Sequence, residues 1–214
     1  MNTTEQDQAI LSELDARVLG CLMEKQLTTP DTYPLTLNAL VTGCNQKTSR
    51  NPVMQLTNGD VLGTVNNLRD RELIEVDYGS RADKYLQKLT RKLHFDKQDQ
   101  ALFALLLLRG PQTLNELFSR SKRMADFQST DQVHDCIERH LAKLNPLLMT
   151  IPPQSGQREE RFMHRLCGEP DLSQFTVSAE SPVSSPNRID ELEARVSALE
   201  HQIAELLAHQ RNEQ

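Results

Sequence analysis

The stretch that decides the fold is TNGDVLGTVNNLRDRELIEVDYGSRADKYLQKL, residues 57–89. Its first four residues have the spacing of a capping box, and Val61, Val65 and Leu68 then recur at helical intervals. From Ile74 onward the period changes to two, because apolar residues alternate with charged ones on both sides of a polar turn. The stretch therefore predicts a helix that is followed directly by a β-hairpin.

Two more amphipathic helices are predicted upstream of this stretch. Leu14, Val18 and Leu22 fall on one helical stripe, and a second stripe with Leu37 and Val41 begins after a proline-containing turn. Three helices followed by a hairpin is the element order of a winged helix, which is an elaborated helix-turn-helix.

The same order of elements recurs downstream. An apolar helix is predicted at 101–108, two further helices are predicted to start at capping boxes, and a hairpin is predicted within 147–166. The segments TLNAL (36–40) and TLNEL (113–117) stand at the same place in each unit, which indicates a duplication. In the last of these helices we expect four residues to face inward, namely Val133, Ile137, Leu141 and Leu144.

The chain is therefore predicted to be mainly α with small β-hairpin wings. It would contain two tandem winged-helix domains, 1–94 and 95–167, a flexible linker at 168–188 rich in Ser and Pro, and a C-terminal coiled-coil helix at 189–211. The coiled coil is predicted from apolar residues at alternating spacings of three and four, and we expect it to form a parallel homodimer. The residues of this seam are Ile189, Leu192, Val196, Leu199, Ile203 and Leu206. The alternative is a single amphipathic helix that folds back on its own domains.

Charge and composition exclude little by themselves. The net charge is −6, but residues 168–214 carry 3 Lys and Arg against 9 Asp and Glu, so the acidity lies in the tail and the body is nearly neutral. The sequence has no signal peptide and no apolar run long enough for a membrane span. The four cysteines are far apart, as is typical of reduced thiols. We therefore expect a cytoplasmic protein without a membrane partner.

No catalytic motif is present in the sequence. It contains no GxSxG, no phosphate-binding loop and no dinucleotide fingerprint. His134 and His140 are not at the i, i+4 spacing of a helical zinc site. We predict a non-enzyme with no cofactor and no metal.

The helix at 57–70 and its hairpin are the candidate contact with DNA. Winged helices place the third helix in the major groove and the wing against the backbone. Asparagines on the outward side of this helix could read bases, and cations around it could contact phosphates. The candidate residues are Lys47, Arg50, Asn66, Asn67, Arg69, Arg71, Arg81 and Lys84. The alternative is that these cations are ordinary surface charges offset by nearby acids.

The equivalent helix of the second unit is a poorer candidate for DNA. Asp131, Asp135 and Glu138 precede its cations, and acids in the first turns of a helix would repel phosphates. We expect the first unit to make any contact with DNA.

The segment LDARVLGCLMEKQLTTPDTYPLTLNALVTGCNQKTSRNPVM (14–54) resembles the signature of the bacterial YceH family. LLLRGPQTLNEL (106–117) and RFMHRLCGE (161–169) resemble the second half of that signature. The resemblance extends from about Leu14 to the end of the chain. It implies a tandem winged-helix fold and implies no particular activity.

The first functional hypothesis is a dimeric winged-helix DNA-binding protein, and specifically a transcriptional regulator. The alternative is a winged-helix scaffold for protein–protein interaction without direct DNA contact, because a fold does not determine a function. A continuous positive face from the third helix to the wing would favour DNA. A mixed-charge face with an apolar centre would favour a protein partner.

Overall fold

The computed structural model describes residues 11–153 and 157–168. Its first repeat contains α1 (Glu13–Thr28), a 3-10 turn (Pro30–Thr32), β1 (Leu35–Thr36), α2 (Leu37–Cys44), α3 (Asn58–Asp70), β2 (Ile74–Asp77) and β3 (Lys84–Gln87). The strands form an antiparallel sheet in the order β1-β3-β2, in which Tyr85 of β3 pairs with Leu35 on one side and with Val76 on the other. The helix and the hairpin predicted from residues 57–89 are both present.

The second repeat has the same order of three helices and a hairpin. The short helix α4 (Leu89–Lys92) leads into α5 (Lys97–Arg109), α6 (Leu114–Ser121), α7 (Thr130–Leu141), β4 (Leu148–Ile151) and β5 (Arg161–His164). The last two strands pair antiparallel, with Leu148 opposite His164 and Ile151 opposite Arg161.

The two repeats agree in a detail that lies beyond their element order. In the first repeat, Leu35 pairs with β3 just before Thr36 caps α2. In the second, Gln112 forms a bridge with Phe162 of β5 just before Thr113 caps α6. Each repeat thus has β-pairing immediately before its second helix, through the short strand β1 in the first repeat and through a single bridge in the second.

The predicted capping boxes set the start of two helices. At α3 the side chains of Thr57 and Asp60 each accept a hydrogen bond from the other residue's backbone N–H, and Thr113 begins α6 in the same way. Ser129 accepts from the Gln132 N–H at 3.4 Å. The side chain of Gln132, however, accepts from the Gln128 N–H at 2.9 Å, so the third predicted box is one-sided.

Helices α1 and α5 form the centre of the hydrophobic core. They pack so closely that a Cβ added to Gly20 of α1 would lie 3.0 Å from side-chain atoms of Leu107 and Leu108. One continuous cluster of buried side chains includes residues of both repeats. In α5 every residue from Asp99 to Leu108 is buried, and for Ala101 to Leu108 the uniformly apolar sequence predicts this burial.

One residue that was predicted to lie in the core is exposed, and most of the predicted tail lies outside the described residues. Leu144 is 98% exposed because α7 ends at Leu141, three residues earlier. Of the predicted linker, only Gly168 is described, and the predicted coiled coil at 189–211 lies outside the described residues. Within the part of the chain that the structure describes, no helix is both long and apolar enough to cross a bilayer.

Candidate nucleic-acid interface

Helix α3 has one buried side and one open side. Val61, Val65 and Leu68 are completely buried against the core. On the opposite side Asn66 is exposed, and a Cβ added to Gly63 would meet nothing within 4 Å. The helical orientation predicted from the sequence is therefore confirmed, and the open side of α3 is accessible to a large ligand.

The hairpin β2–β3 is anchored at its base and exposed at its turn. The backbone N–H of Gln87 donates to the Tyr33 hydroxyl at 2.8 Å, and the Gln87 side-chain amide donates to Gln26 of α1 at 2.7 Å. Arg81 and Lys84, at the turn, are both exposed. The hypothesis drawn from the sequence requires cations that are exposed at the hairpin turn, and these two residues meet that requirement.

Arg50 lies inside the protein and not on its surface. The prediction that it contacts DNA is therefore wrong. Its side chain is 0% exposed, and it binds both carboxylate oxygens of Glu24, with Nη2–Oε2 at 2.7 Å and Nη1–Oε1 at 3.2 Å. Its Nε also donates to the Gly43 carbonyl at 3.0 Å. Burial alone would raise the pKa of Glu24, but Arg50 holds that pKa below its usual value. Arg50 therefore ties α1 to the α2–α3 loop, and a buried guanidinium cannot reach a phosphate.

Arg71 and Arg69 also have acidic partners. Arg71 is half-buried and donates to the buried Asp15 carboxylate of α1 at 3.0 Å, so it anchors the end of α3. It is also 3.4 Å from the side-chain oxygen of Asn67. Arg69 pairs with Asp70 at 3.2 Å, and because both side chains are exposed, this pair is open to competition by a phosphate.

Lys47 is exposed on the α2–α3 loop, but it lines a different feature from the hairpin cations. Its side chain borders a cavity that is also lined by residues of α1, α5 and α6. The candidate residues thus divide into three groups. Asn66, Asn67, Arg69, Arg81 and Lys84 belong to α3 and the hairpin, Arg50 and Arg71 tie elements together, and Lys47 faces the second repeat.

A buried polar cluster that the sequence did not predict lies between α5 and α7. Asp99 Oδ1 lies 2.8 Å from His140 Nε2 and 3.1 Å from Cys136 Sγ. Burial alone would raise the pKa of Asp99, but the hydrogen bonds from His140 and Cys136 lower it to about 2. Burial, together with the Asp99 carboxylate, raises the pKa of the Cys136 thiol to about 12, so this thiol is not a reactive nucleophile. The i, i+4 spacing of Cys136 and His140 was the available signal.

The same three side chains are the described group that comes closest to a metal site, since their ligand atoms lie within 4.8 Å of one another. Two cations of the protein already contact them. Arg139 Nη2 is 3.3 Å from both Asp99 Oδ1 and Cys136 Sγ, and Lys143 Nζ is 3.2 Å from His140 Nδ1. Because these cations offset the carboxylate and oppose a further positive ion, we interpret the cluster as a cross-link between helices.

A family model described as "Protein of unknown function, DUF480" matches residues 11–157. The chain belongs to this DUF480 family. A UPF0502 protein of Cellvibrio japonicus (strain Ueda107) is 50% identical over 202 residues, which cover 93% of this chain and 92% of that protein. A UPF0502 protein of Ectopseudomonas mendocina (strain ymp) is 49% identical over 87% of this chain and 88% of its own. One from Pseudomonas syringae pv. tomato is 47% identical over 95% and 96%.

The DUF480 match includes α1 to α7 and every candidate DNA-contacting residue. It ends before the predicted coiled coil. The UPF0502 protein of Cellvibrio japonicus nevertheless aligns with 93% of this chain, so the similarity extends beyond residue 157. At least part of the tail is therefore shared with that protein.

Proposed function

We propose that this DUF480 protein binds double-stranded DNA through α3 and the β2–β3 hairpin, as a homodimer joined by its C-terminal coiled coil. Each repeat would then be a winged-helix module, as the resemblance to the YceH family also implies. The observation that carries the proposal is the open side of α3, which faces away from the core beside a hairpin turn with exposed cations. A transcriptional regulator is the corresponding biological role.

The dimensions of α3 support this proposal. Its 13 residues make a helix about 20 Å long, and a helix fits the major groove, which is about 12 Å wide. Asn66 can donate to and accept from the edge of adenine, and Gly63 allows the backbone to approach a base closely. Arg81 and Lys84 would contact phosphates beside the groove.

The proposal is tested by measuring affinity for mixed-sequence duplexes from about 50 to about 200 mM salt. We expect Arg81→Ala/Lys84→Ala to weaken binding and to reduce the log–log salt slope by about 0.9 for each phosphate that the variant no longer neutralises. The matched control is Lys97→Ala/Arg158→Ala, which removes two exposed cations of the second repeat. Equal slopes for the two double variants would contradict the proposed interface, and so would the absence of binding by wild type at low salt.

A second candidate function is docking of a protein partner, and the mixed charge of the same elements favours it. The exposed acids Asp70, Asp77 and Asp83 accompany the cations, and the apolar side chains of Leu62 and Tyr78 are 39% and 73% exposed. A surface with mixed charge and exposed apolar side chains also suits a protein partner. Failure of the DNA experiment with a correctly folded chain would leave this alternative as the better account.

A further inference from the structure

A cavity of about 410 Å³ lies where the end of α1, the α2–α3 loop, and the ends of α5 and α6 meet. Its charged lining consists of five cations and one acid, namely Lys25, Lys47, Arg109, Arg120, Arg123 and Glu24. The five cations are spread over 99 positions of the sequence, so this concentration exists only in the folded chain. It is separate from the open side of α3.

The acid in the lining offsets little of this positive charge, because it is shared between Arg50 and Lys25. Glu24 is already bound through both oxygens to the buried Arg50, and it also pairs with Lys25 at 3.3 Å. Arg120 pairs with Glu116 at 3.1 Å. The remaining three lining cations are Lys47, Arg109 and Arg123, and within the described residues their side chains form no hydrogen bond or ion pair.

Arg109 shows the resulting excess of positive charge most clearly. It is half-buried, and burial together with the neighbouring Arg120 and Arg50 lowers its pKa. A guanidinium that is partly removed from water and surrounded by like charges gains most from an anion that replaces the missing solvation. The carboxylates of Glu24 and Glu116 oppose this shift, but within the described residues neither forms an ion pair with Arg109.

Helix dipoles account for only part of this charge. Lys25, Arg109 and Arg120 stand in the last turns of α1, α5 and α6, where cations offset the partial negative charge of a helix C-terminus. Each terminus carries about half an elementary charge, so the three together offset less than half of the net charge of the lining. The remaining positive charge is available to attract an anion.

We propose that this cavity binds a small phosphorylated ligand of about nucleotide size, with its phosphate groups on Lys47, Arg109 and Arg123. The volume lies within the usual range for small-molecule sites, which is about 300–1,000 Å³. A planar guanidinium can bind two oxygens of one phosphate. Two guanidinium groups and one ammonium group together favour a ligand with two or more phosphates. Leu105 and Met124 provide an apolar wall for the remainder of the ligand.

Such a ligand would contact both repeats at once. Lys47 precedes α3 on the loop that joins it to α2, whereas Arg109 and Arg123 belong to the second repeat. Occupancy would therefore stabilise the folded arrangement of the two repeats, because a ligand that binds only the native state raises the melting temperature. Ligand binding in this cavity does not require that the protein binds DNA.

The experiment uses the full-length protein with ADP, pyrophosphate and orthophosphate as probes at constant ionic strength. Calorimetry and thermal melting report the affinity and the shift in melting temperature. We expect saturable binding of ADP and pyrophosphate, with orthophosphate weaker. Lys47→Gln/Arg123→Gln should weaken the affinity about tenfold or more, and because both side chains are exposed, this variant should fold normally. Arg109→Gln should have a similar effect on affinity.

The matched control is Lys97→Gln/Arg158→Gln, which removes two exposed cations outside the cavity and should leave ADP binding unchanged. An equal decrease in the two double variants would show nonspecific charge screening and would overturn the proposal. The absence of saturable binding at millimolar ADP and pyrophosphate would overturn it as well. If Lys47→Gln/Arg123→Gln instead abolished binding of duplex DNA while ADP did not bind, the cavity would be a contact for the nucleic-acid backbone, and the small-ligand proposal would fail.

Discussion

Arg17 and Arg50 are two cations in the interior of the first repeat, and they use their charge in different ways. Arg50 is neutralised by Glu24, whereas Arg17 donates to the carbonyl oxygens of Cys44 at 3.1 Å and Pro52 at 2.5 Å. Burial lowers the pKa of Arg17, and the nearby Arg50 lowers it further. Both arginines hold the α2–α3 loop against α1. At the scale of single residues, a charged side chain is thus not always exposed, and its charge does not by itself show which role it has.

His164 provides a prediction about pH. Its side chain in β5 is 3% exposed, its Nδ1 has no hydrogen-bond partner in the described chain, and burial lowers its pKa to about 4. The unfolded chain, with a histidine pKa of about 6.5, binds the proton more readily. Stability should therefore fall as the pH is lowered from about 6.5 to about 4, by at most about 1.4 kcal/mol per pH unit from this group.

Denaturant melts across this pH range measure the effect. His164→Phe should flatten the dependence on pH, whatever its effect on stability at neutral pH. His134→Gln is the control, because His134 is about half exposed. If the slope persisted in His164→Phe, another group would be responsible for it.

At the scale of elements, local patterns predicted the helices well and their ends less well. The apolar stripe of α7 is real, since Val133, Cys136 and Ile137 are buried. The stripe stops short of the predicted Leu144, because a periodic pattern does not show where backbone hydrogen bonding stops. The caps are more exact signals, since the Thr57 and Thr113 side chains satisfy backbone N–H groups that would otherwise lack partners.

Two leucine-sized residues near the end of α7 test this distinction. We expect Ile137→Ala to lower the free energy of unfolding by about 2–4 kcal/mol, because Ile137 is completely buried and its truncation leaves a cavity. Leu144→Ala should change it by less than about 0.5 kcal/mol, because the side chain is 98% exposed. Urea melts measure both. A large destabilisation at Leu144 would mean that this side chain is covered in solution.

At the scale of the whole molecule, polar side chains connect the repeats across the α1–α5 contact. Gln100 of α5 donates to the Met23 carbonyl at 3.0 Å and to the Gln26 side chain at 2.9 Å. Gln26 also accepts from Gln87 of β3 at 2.7 Å. The hairpin of the first repeat is thus linked through α1 to α5 of the second repeat. The position of the proposed DNA-binding hairpin therefore depends on contacts with both repeats.

The oligomeric state is a prediction from the sequence of the tail. Ile189, Val196 and Ile203 fall at position a. Position d is occupied by Leu192, Leu199 and Leu206, and this pattern favours a parallel two-stranded coil. We expect a concentration-dependent dimer that Val196→Asp weakens, because a charge at position a is buried on association. Ser197→Asp adds the same charge at an outer heptad position and should leave the dimer intact.

Sedimentation at micromolar protein distinguishes the outcomes. A wild-type chain that remained monomeric would exclude the coiled-coil dimer and favour a helix folded back on its own domains. A dimer that survived deletion from Arg188 onward would place the interface elsewhere.

The sequence alone determined the order of helices and hairpins, their duplication, the inward side of α3 and the starts of two helices. These features depend on neighbours a few residues away, so apolar spacing and capping residues record them directly. Only the tertiary structure decided which cations are exposed, which have acidic partners and which lie close together. Arg50 was removed from the surface by Glu24, which is 26 positions away, and Arg109 and Arg123 were brought together with Lys47. Pairing and burial of charges depend on contacts between distant segments, and no local pattern encodes them.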